Sequence, residues 1–67
     1  MTKTEKKLYQ ALQRAIDEAG GQRALARALG ISRQAVHQWT DIPVRYVVRV
    51  EIATGIPRRE LRPDFYE

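Results

Sequence analysis

The sequence lacks cysteine altogether and contains one histidine among its 67 residues. Disulfide bonds are therefore excluded, and a single histidine without cysteine argues against a protein-only metal site. The carboxylates are scattered, and no nucleophile–base–acid set and no glycine-rich phosphate loop can be assembled from the remaining residues. We therefore predict no enzymatic activity, no cofactor and no small-molecule ligand.

Long apolar segments are also missing. No stretch approaches the ~18 apolar residues that a membrane span needs, and the charged start from Met1 to Lys7 does not resemble a signal peptide. These absences predict a cytoplasmic protein with no membrane partner. A chain this short forms one small domain, here residues 1–67, whose core supplies roughly 3–5 kcal/mol. Without a covalent staple, dimerisation is the expected supplement.

Positive charge is present but unevenly placed. The formal net charge is +4, and residues 21–50 account for all of it because five arginines there face Asp41 alone. The segments on either side nearly cancel, at +1 for residues 1–20 and −1 for residues 51–67. A local basic surface favours a polyanionic partner, because neutralised phosphates release their counterions. Charge alone equally fits an ordinary solvated face.

Apolar spacing, capping residues and glycine or proline stops predict an all-α chain. Five helical pieces are expected, over residues 4–19, 22–29, 32–40, 44–54 and 58–61, the last a short turn. Thr2 or Thr4 serves as the first N-cap, and Ser32 caps the third helix. The fourth piece is rich in valine and isoleucine, which also suits a strand. Pro43 at its start and Gly55 after its end favour a helix.

The second and third pieces form a predicted helix-turn-helix over about residues 22–40. Ala26 is small where the two helices cross, and Gly30 occupies a turn that needs a positive φ. The apolar residues that join the pair to helix 1 are Leu25, Leu29, Ile31, Val36 and Trp39. Trp39 would stack on a base in a single-strand binding protein, but its register with Ile31 and Val36 favours the core.

The outward residues of the third helix share hydrogen-bonding side chains and include no carboxylate. They are Ser32, Arg33, Gln34, His37 and Gln38. Arginine pairs with guanine and glutamine with adenine in the major groove, while serine suits a base or a phosphate. We predict duplex DNA binding, with base contacts from Arg33, Gln34, His37 and Gln38 and phosphate contacts from Ser32 and Arg45.

Two blocks of sequence resemble phage Cro-type repressors and the related YdaS-like antitoxin or regulator proteins of prophages. The first runs Gly21-Gln-Arg-Ala-Leu-Ala-Arg-Ala-Leu-Gly-Ile-Ser32, followed by Ala35-Val36 and Gln38-Trp39. The second comprises Ile42-Pro43, Val50-Glu-Ile-Ala-Thr-Gly55 and Glu60-Leu-Arg-Pro-Asp64. The resemblance implies a λ-repressor-like five-helix fold, a repressor that binds its operator sequence-specifically, and a phosphate contact from Gln22.

Three further interpretations concern the C-terminal third. Helix 4 is apolar on one side at Val44, Val47, Val48 and Ile52, and on a second at Tyr46, Val50 and Ala53. The second side, with Phe65 and Tyr66, predicts a homodimer interface, unless helix 4 is simply central to the core. Glu51 is expected to pair with an arginine such as Arg62. The alternative function is a YdaS-like antitoxin or protein-interaction module, for which helix 4 would matter more than helix 3.

Overall fold

The computed structural model describes residues 1–66, most of which are helical. The elements in chain order are α1 (Lys3–Ala19), α2 (Gln22–Leu29), α3 (Arg33–His37), a 3₁₀ turn (Val44–Tyr46), α4 (Val47–Thr54) and α5 (Arg58–Leu61). No strand occurs within residues 1–66, so the predicted all-α fold class is confirmed. Within the same residues, no helix is both long and apolar enough to cross a bilayer.

Both ends of α1 are fixed by local hydrogen bonds. The Thr2 hydroxyl accepts from the Glu5 N–H at 3.1 Å, and the Glu5 carboxylate accepts from the Thr2 N–H at 3.1 Å. This reciprocal capping box selects Thr2 over Thr4 and starts the helix at Lys3. At the other end Gly20 has φ +99°, and the Gly21 N–H donates to the Ile16 carbonyl at 2.8 Å. This closure turns the chain directly into α2.

One continuous apolar core receives side chains from all five helices. Its buried members are Leu12, Ala15, Ile16, Leu25, Ala26, Leu29, Val36, Ile42, Val47, Val50, Ile56 and Leu61. Ile31 and Trp39 are partly buried and pack against this core. The prediction that Trp39 packs inward is therefore confirmed. Burial of this kind contributes roughly 1.5–3 kcal/mol for each large aliphatic side chain, before the entropic cost of folding.

The third helix is shorter than predicted. It ends at His37 and not near Thr40. The Trp39 N–H donates to the Val36 carbonyl at 3.1 Å, three residues back, so the last turn tightens before the chain leaves the helix. The residue before Pro43 is also biased away from helical geometry. Both effects separate α3 from the 3₁₀ turn.

The predicted faces of α4 were wrong. Val50 is fully buried in the core, whereas Val48 is 39% and Ile52 79% exposed. The first predicted turn, Val44–Tyr46, is 3₁₀ and not α. A 3₁₀ turn advances about 120° per residue against about 100° in an α-helix. Val44 therefore leaves the α-helical register on which the predicted faces rested. Within α4, Val47 and Val50 are three residues apart and share the inward face, whereas Val48 and Ile52, four residues apart, lie outward.

Glu51 joins α4 to α5, as expected, but through a different arginine. Its carboxylate accepts from the Arg58 backbone N–H at 2.8 Å and from Arg58 Nε at 3.0 Å. Arg62, the predicted partner, pairs with Asp64 instead. Arg58 is the first residue of α5 and lies next to Glu51. The backbone hydrogen bond from Arg58 is the main cause that lowers the pKa of Glu51 below its usual range.

Candidate nucleic-acid interface

The turn between α2 and α3 is closed by a glycine in the left-handed region. Gly30 has φ +73°, and its N–H donates to the Arg27 carbonyl at 3.2 Å. The next N–H, of Ile31, reaches the Ala26 carbonyl at 3.0 Å. These two bonds end α2 within one turn and reverse the chain. Ala26 is 2% exposed, so the predicted roles of Gly30 and Ala26 in the turn are confirmed.

Ser32 starts α3 in the way the sequence predicts. Its Oγ accepts from the Ala35 N–H at 3.1 Å, which satisfies one of the free donors at the helix N-terminus. A serine hydroxyl also carries a proton. That proton remains able to donate to an outside acceptor such as a phosphate oxygen while the cap is kept.

The four predicted base-reading side chains lie together on the outward side of α3. Arg33, Gln34, His37 and Gln38 are exposed, while Val36 between them is 1% exposed and fixes the inward side. Arg33 and His37 are four residues apart, as are Gln34 and Gln38, so each pair shares a helical face. Within the described residues, none of the four side chains forms a hydrogen bond or an ion pair.

The three residues predicted to contact phosphates belong to three different parts of the fold. Gln22 is half-buried at the first residue of α2, Ser32 precedes α3, and Arg45 is exposed in the 3₁₀ turn. The Arg45 ζ-carbon lies 5.3 Å from the centroid of the Tyr46 ring. Arg49 lies 5.5 Å from the same centroid and donates to the Leu29 carbonyl at 3.4 Å.

The one acidic residue of the basic segment is neutralised from outside it. Asp41 is 3.4 Å from Arg62, which belongs to the C-terminal segment. The arginines of α2 and α3 and those around Tyr46 therefore keep their excess of positive charge. In the part of the chain that the structure describes, neither Arg33 nor Arg45 is paired with a carboxylate, so both can meet an external anion.

Arg62 anchors the loop before the 3₁₀ turn, a role that the sequence did not predict because it assigned Arg62 to Glu51. Its Nη1 donates to the Ile42 carbonyl at 2.9 Å. Its Nε and Nη2 donate to the two carboxylate oxygens of Asp64 at 3.0 and 2.7 Å. The side-chain hydrogen bond between Arg62 and Asp64 is the main cause that raises the pKa of Arg62 and lowers the pKa of Asp64. Arg62 thus holds the loop that precedes the 3₁₀ turn and hence Arg45. The signal in the sequence was the pair Arg62 and Asp64, two residues apart, beside a buried Leu61.

No cluster of metal-binding side chains accompanies this surface in the described residues. No group of three or more His, Asp or Glu side chains is placed to hold a metal ion. A shallow depression of about 390 Å³ lies between α1 and α5 and is lined by Lys7, Gln10, Ala11, Arg14, Arg59, Glu60 and Pro63. It contains no histidine and no hydroxyl or thiol nucleophile, and no residue of α3 contributes to it.

Comparison with known proteins adds two findings. The sequence profile of the family described as "Bacterial toxin YdaS" matches residues 12–67. The regulatory protein cro of Salmonella phage P22 is 55% identical over 41 residues, which are 60% of this chain and 67% of that protein. No solved structure matches the chain.

Proposed function

We propose that this chain, which belongs to the YdaS family, is a Cro-like regulator that acts by binding double-stranded DNA. Its similarity to a phage regulatory protein indicates a regulator and not an enzyme. The family description names a toxin, but the exposed surface of α3 favours the regulatory role. A regulator of this kind works where DNA is, so we expect it in the cytoplasm.

The outward face of α3 carries the proposal. Recognition helices place their N-terminal residues against base edges in the major groove, and Arg33 and Gln34 are the first two residues of α3. His37 and Gln38 follow one turn later on the same faces. We assign base contacts to these four side chains. Gln22, Ser32 and Arg45 then hold backbone phosphates on either side and set the register of α3 in the groove.

A sequence-specific repressor is the finer form of this proposal. A bound site of a few base pairs beside a promoter would exclude the transcription machinery by occupancy alone. The absence of a carboxylate among the outward residues supports it, because carboxylates repel phosphates and would restrict the face to cytosine contacts. The operator is found by selecting bound duplexes from a random pool.

Arg33→Ala tests the assignment on the selected operator. We expect binding to weaken by about 1–3 kcal/mol and discrimination to be lost at one base pair. Arg59→Ala is the matched control, since it removes an equal charge from exposed α5. A gel-shift series in which both variants lose the same small amount, with the base preference intact, would contradict the assignment.

Dimerisation is the second part of the proposal, with residues corrected by the structure. Val50 lies in the core and Tyr46 packs against Trp39, so neither can form the outer face of α4. The large exposed apolar side chains of α4 are Val48 and Ile52, and the small Ala53 of the predicted face is exposed as well. These side chains cover far less than the ~800 Å² per partner of a stable interface. We therefore propose weak pairing that DNA reinforces.

Ile52→Glu tests the pairing. On a duplex with two half-sites, the wild-type protein should bind cooperatively and this variant should not, while binding to one half-site stays unchanged. Gln13→Glu, at an exposed position of α1, controls for added negative charge away from this face. If Ile52→Glu binds both duplexes as wild type does, the exposed apolar face serves another protein, as in an antitoxin or interaction module.

A further inference from the structure

Tyr46 is the centre of a small cluster beside the recognition helix. Its ring centroid is 5.4 Å from that of Trp39, with an interplanar angle of 34°. The ζ-carbons of Arg45 and Arg49 lie 5.3 and 5.5 Å from the same tyrosine centroid. One half-buried ring therefore lies against Trp39, two residues after the end of α3, and against two cations at once.

The two arginines are held differently. Arg49 donates to the carbonyl of Leu29, the last residue of α2. The negative end of the α2 dipole stabilises its positive charge there. Arg45 makes no hydrogen bond or ion pair among residues 1–66, so the face of Tyr46 is its one charge-complementary neighbour there. Its guanidinium donors point to no protein acceptor. Arg49 has a structural partner, whereas Arg45 is left to contact an outside anion.

An unpaired arginine on a surface turn would normally sample many rotamers. A cation within about 6 Å of an aromatic centroid is attracted by the negative face of the ring. That attraction narrows the positions of Arg45 without using its N–H donors. The ring itself is fixed by Trp39, which packs on the core next to α3. The position of Arg45 is thereby tied to that of the recognition helix.

We propose that Tyr46 is a positioning residue that holds Arg45 ready for a DNA phosphate, in register with α3. The proposal rests on the DNA-binding function above. Arg45 makes the phosphate contact, and Tyr46 acts through it. Arg49 serves the fold by linking α2 to α4.

The test is a double-mutant cycle read from the salt dependence of binding to the selected operator. Each phosphate contact contributes about 0.9 to the slope of log K against log salt. Arg45→Ala should lower the slope by about that amount. Tyr46→Leu should weaken binding roughly three- to tenfold and reduce the slope, whereas Tyr46→Phe should match wild type. Arg45→Ala should cost far less in the Tyr46→Leu background than alone.

A purely structural Tyr46 would behave otherwise. Tyr46→Leu would then lower the melting temperature, leave the slope at its wild-type value, and add fully to Arg45→Ala. That result refutes the positioning role while leaving DNA binding intact. If Tyr46→Leu does not fold, trifluorophenylalanine at position 46 keeps the ring shape but weakens its negative face, and the same loss of slope is expected. Wild-type protein that binds no duplex refutes both the proposed function and this role.

Discussion

Replacing Arg62 should remove a large part of the stability of this small fold. The Arg62 side chain is 13% exposed and bonds the Ile42 carbonyl, Asp64 and Asp41. Arg62→Met keeps the length and apolar stem but loses every donor. The Ile42 carbonyl and the two carboxylates then lose the donors that Arg62 supplies.

The expected magnitude follows from the exposure of the partners. Hydrogen bonds to charged groups contribute about 1.5–3 kcal/mol each, but Asp64 and Asp41 are 30% and 41% exposed, so their pairs count for less. We expect Arg62→Met to lower the free energy of unfolding by about 2–3 kcal/mol. For a domain of this size that is about 10–20 °C in melting temperature. Arg62→Lys keeps the charge but not the two-pronged grip and should fall between.

Urea denaturation followed by circular dichroism measures the loss. The midpoint should fall with the slope unchanged, which marks a change in stability and not in compactness. Arg59→Met, at an exposed arginine of α5, is the matched control and should stay within about 0.5 kcal/mol of wild type. If Arg62→Met is no more harmful than Arg59→Met, the reasoning about the loop anchor is refuted.

Two more predictions concern the turn and the response to acid. Gly30→Ala should cost about 1–2 kcal/mol of folding free energy from its positive φ alone, since an added Cβ meets nothing within 4 Å. Thermal unfolding should show a smaller loss for Gly30→Asn. A gain in stability for Gly30→Ala would contradict the strain argument. The pKa values of Glu51 and Asp64 are lowered by hydrogen bonds from Arg58 and Arg62 respectively, so the folded chain holds these protons less tightly than the unfolded one. Their stabilisation is present above an unfolded pKa of about 4 and is lost as pH falls through the lowered folded values. Melting temperature should drop between pH 5 and pH 2, and less so in Asp64→Asn; an unchanged difference between the two proteins would show that Asp64 plays no part.

The sequence predicted those elements whose signals are local. The bounds of α2, the Ser32 cap and the glycine turn follow from single residues with strong conformational preferences, and the structure confirms them. The outward face of α3 follows equally, because Val36 alone fixes which side is inward. Such features need no knowledge of what packs against them.

What the sequence did not predict depends on contacts between distant segments. The 3₁₀ turn at Val44 gives no distinct pattern in the sequence, yet it takes Val44 out of the α-helical register from which the faces of α4 were predicted. Arg62 reaches back twenty residues to the Ile42 carbonyl, and Tyr46 meets Trp39 only once the loop between them is folded. Periodicity carries no information about such pairings.

The short length of α3 limits how long a DNA sequence one copy of this protein could recognise. Under the proposed function, four side chains within residues 33–38 read at most about four base pairs, and four distinguishable pairs per position give on the order of 256 different sites. A bacterial genome presents on the order of a million competing positions. A single copy would thus find thousands of equivalent sites. Two copies on adjoining half-sites distinguish about 65,000 sequences, which leaves on the order of ten equivalent positions.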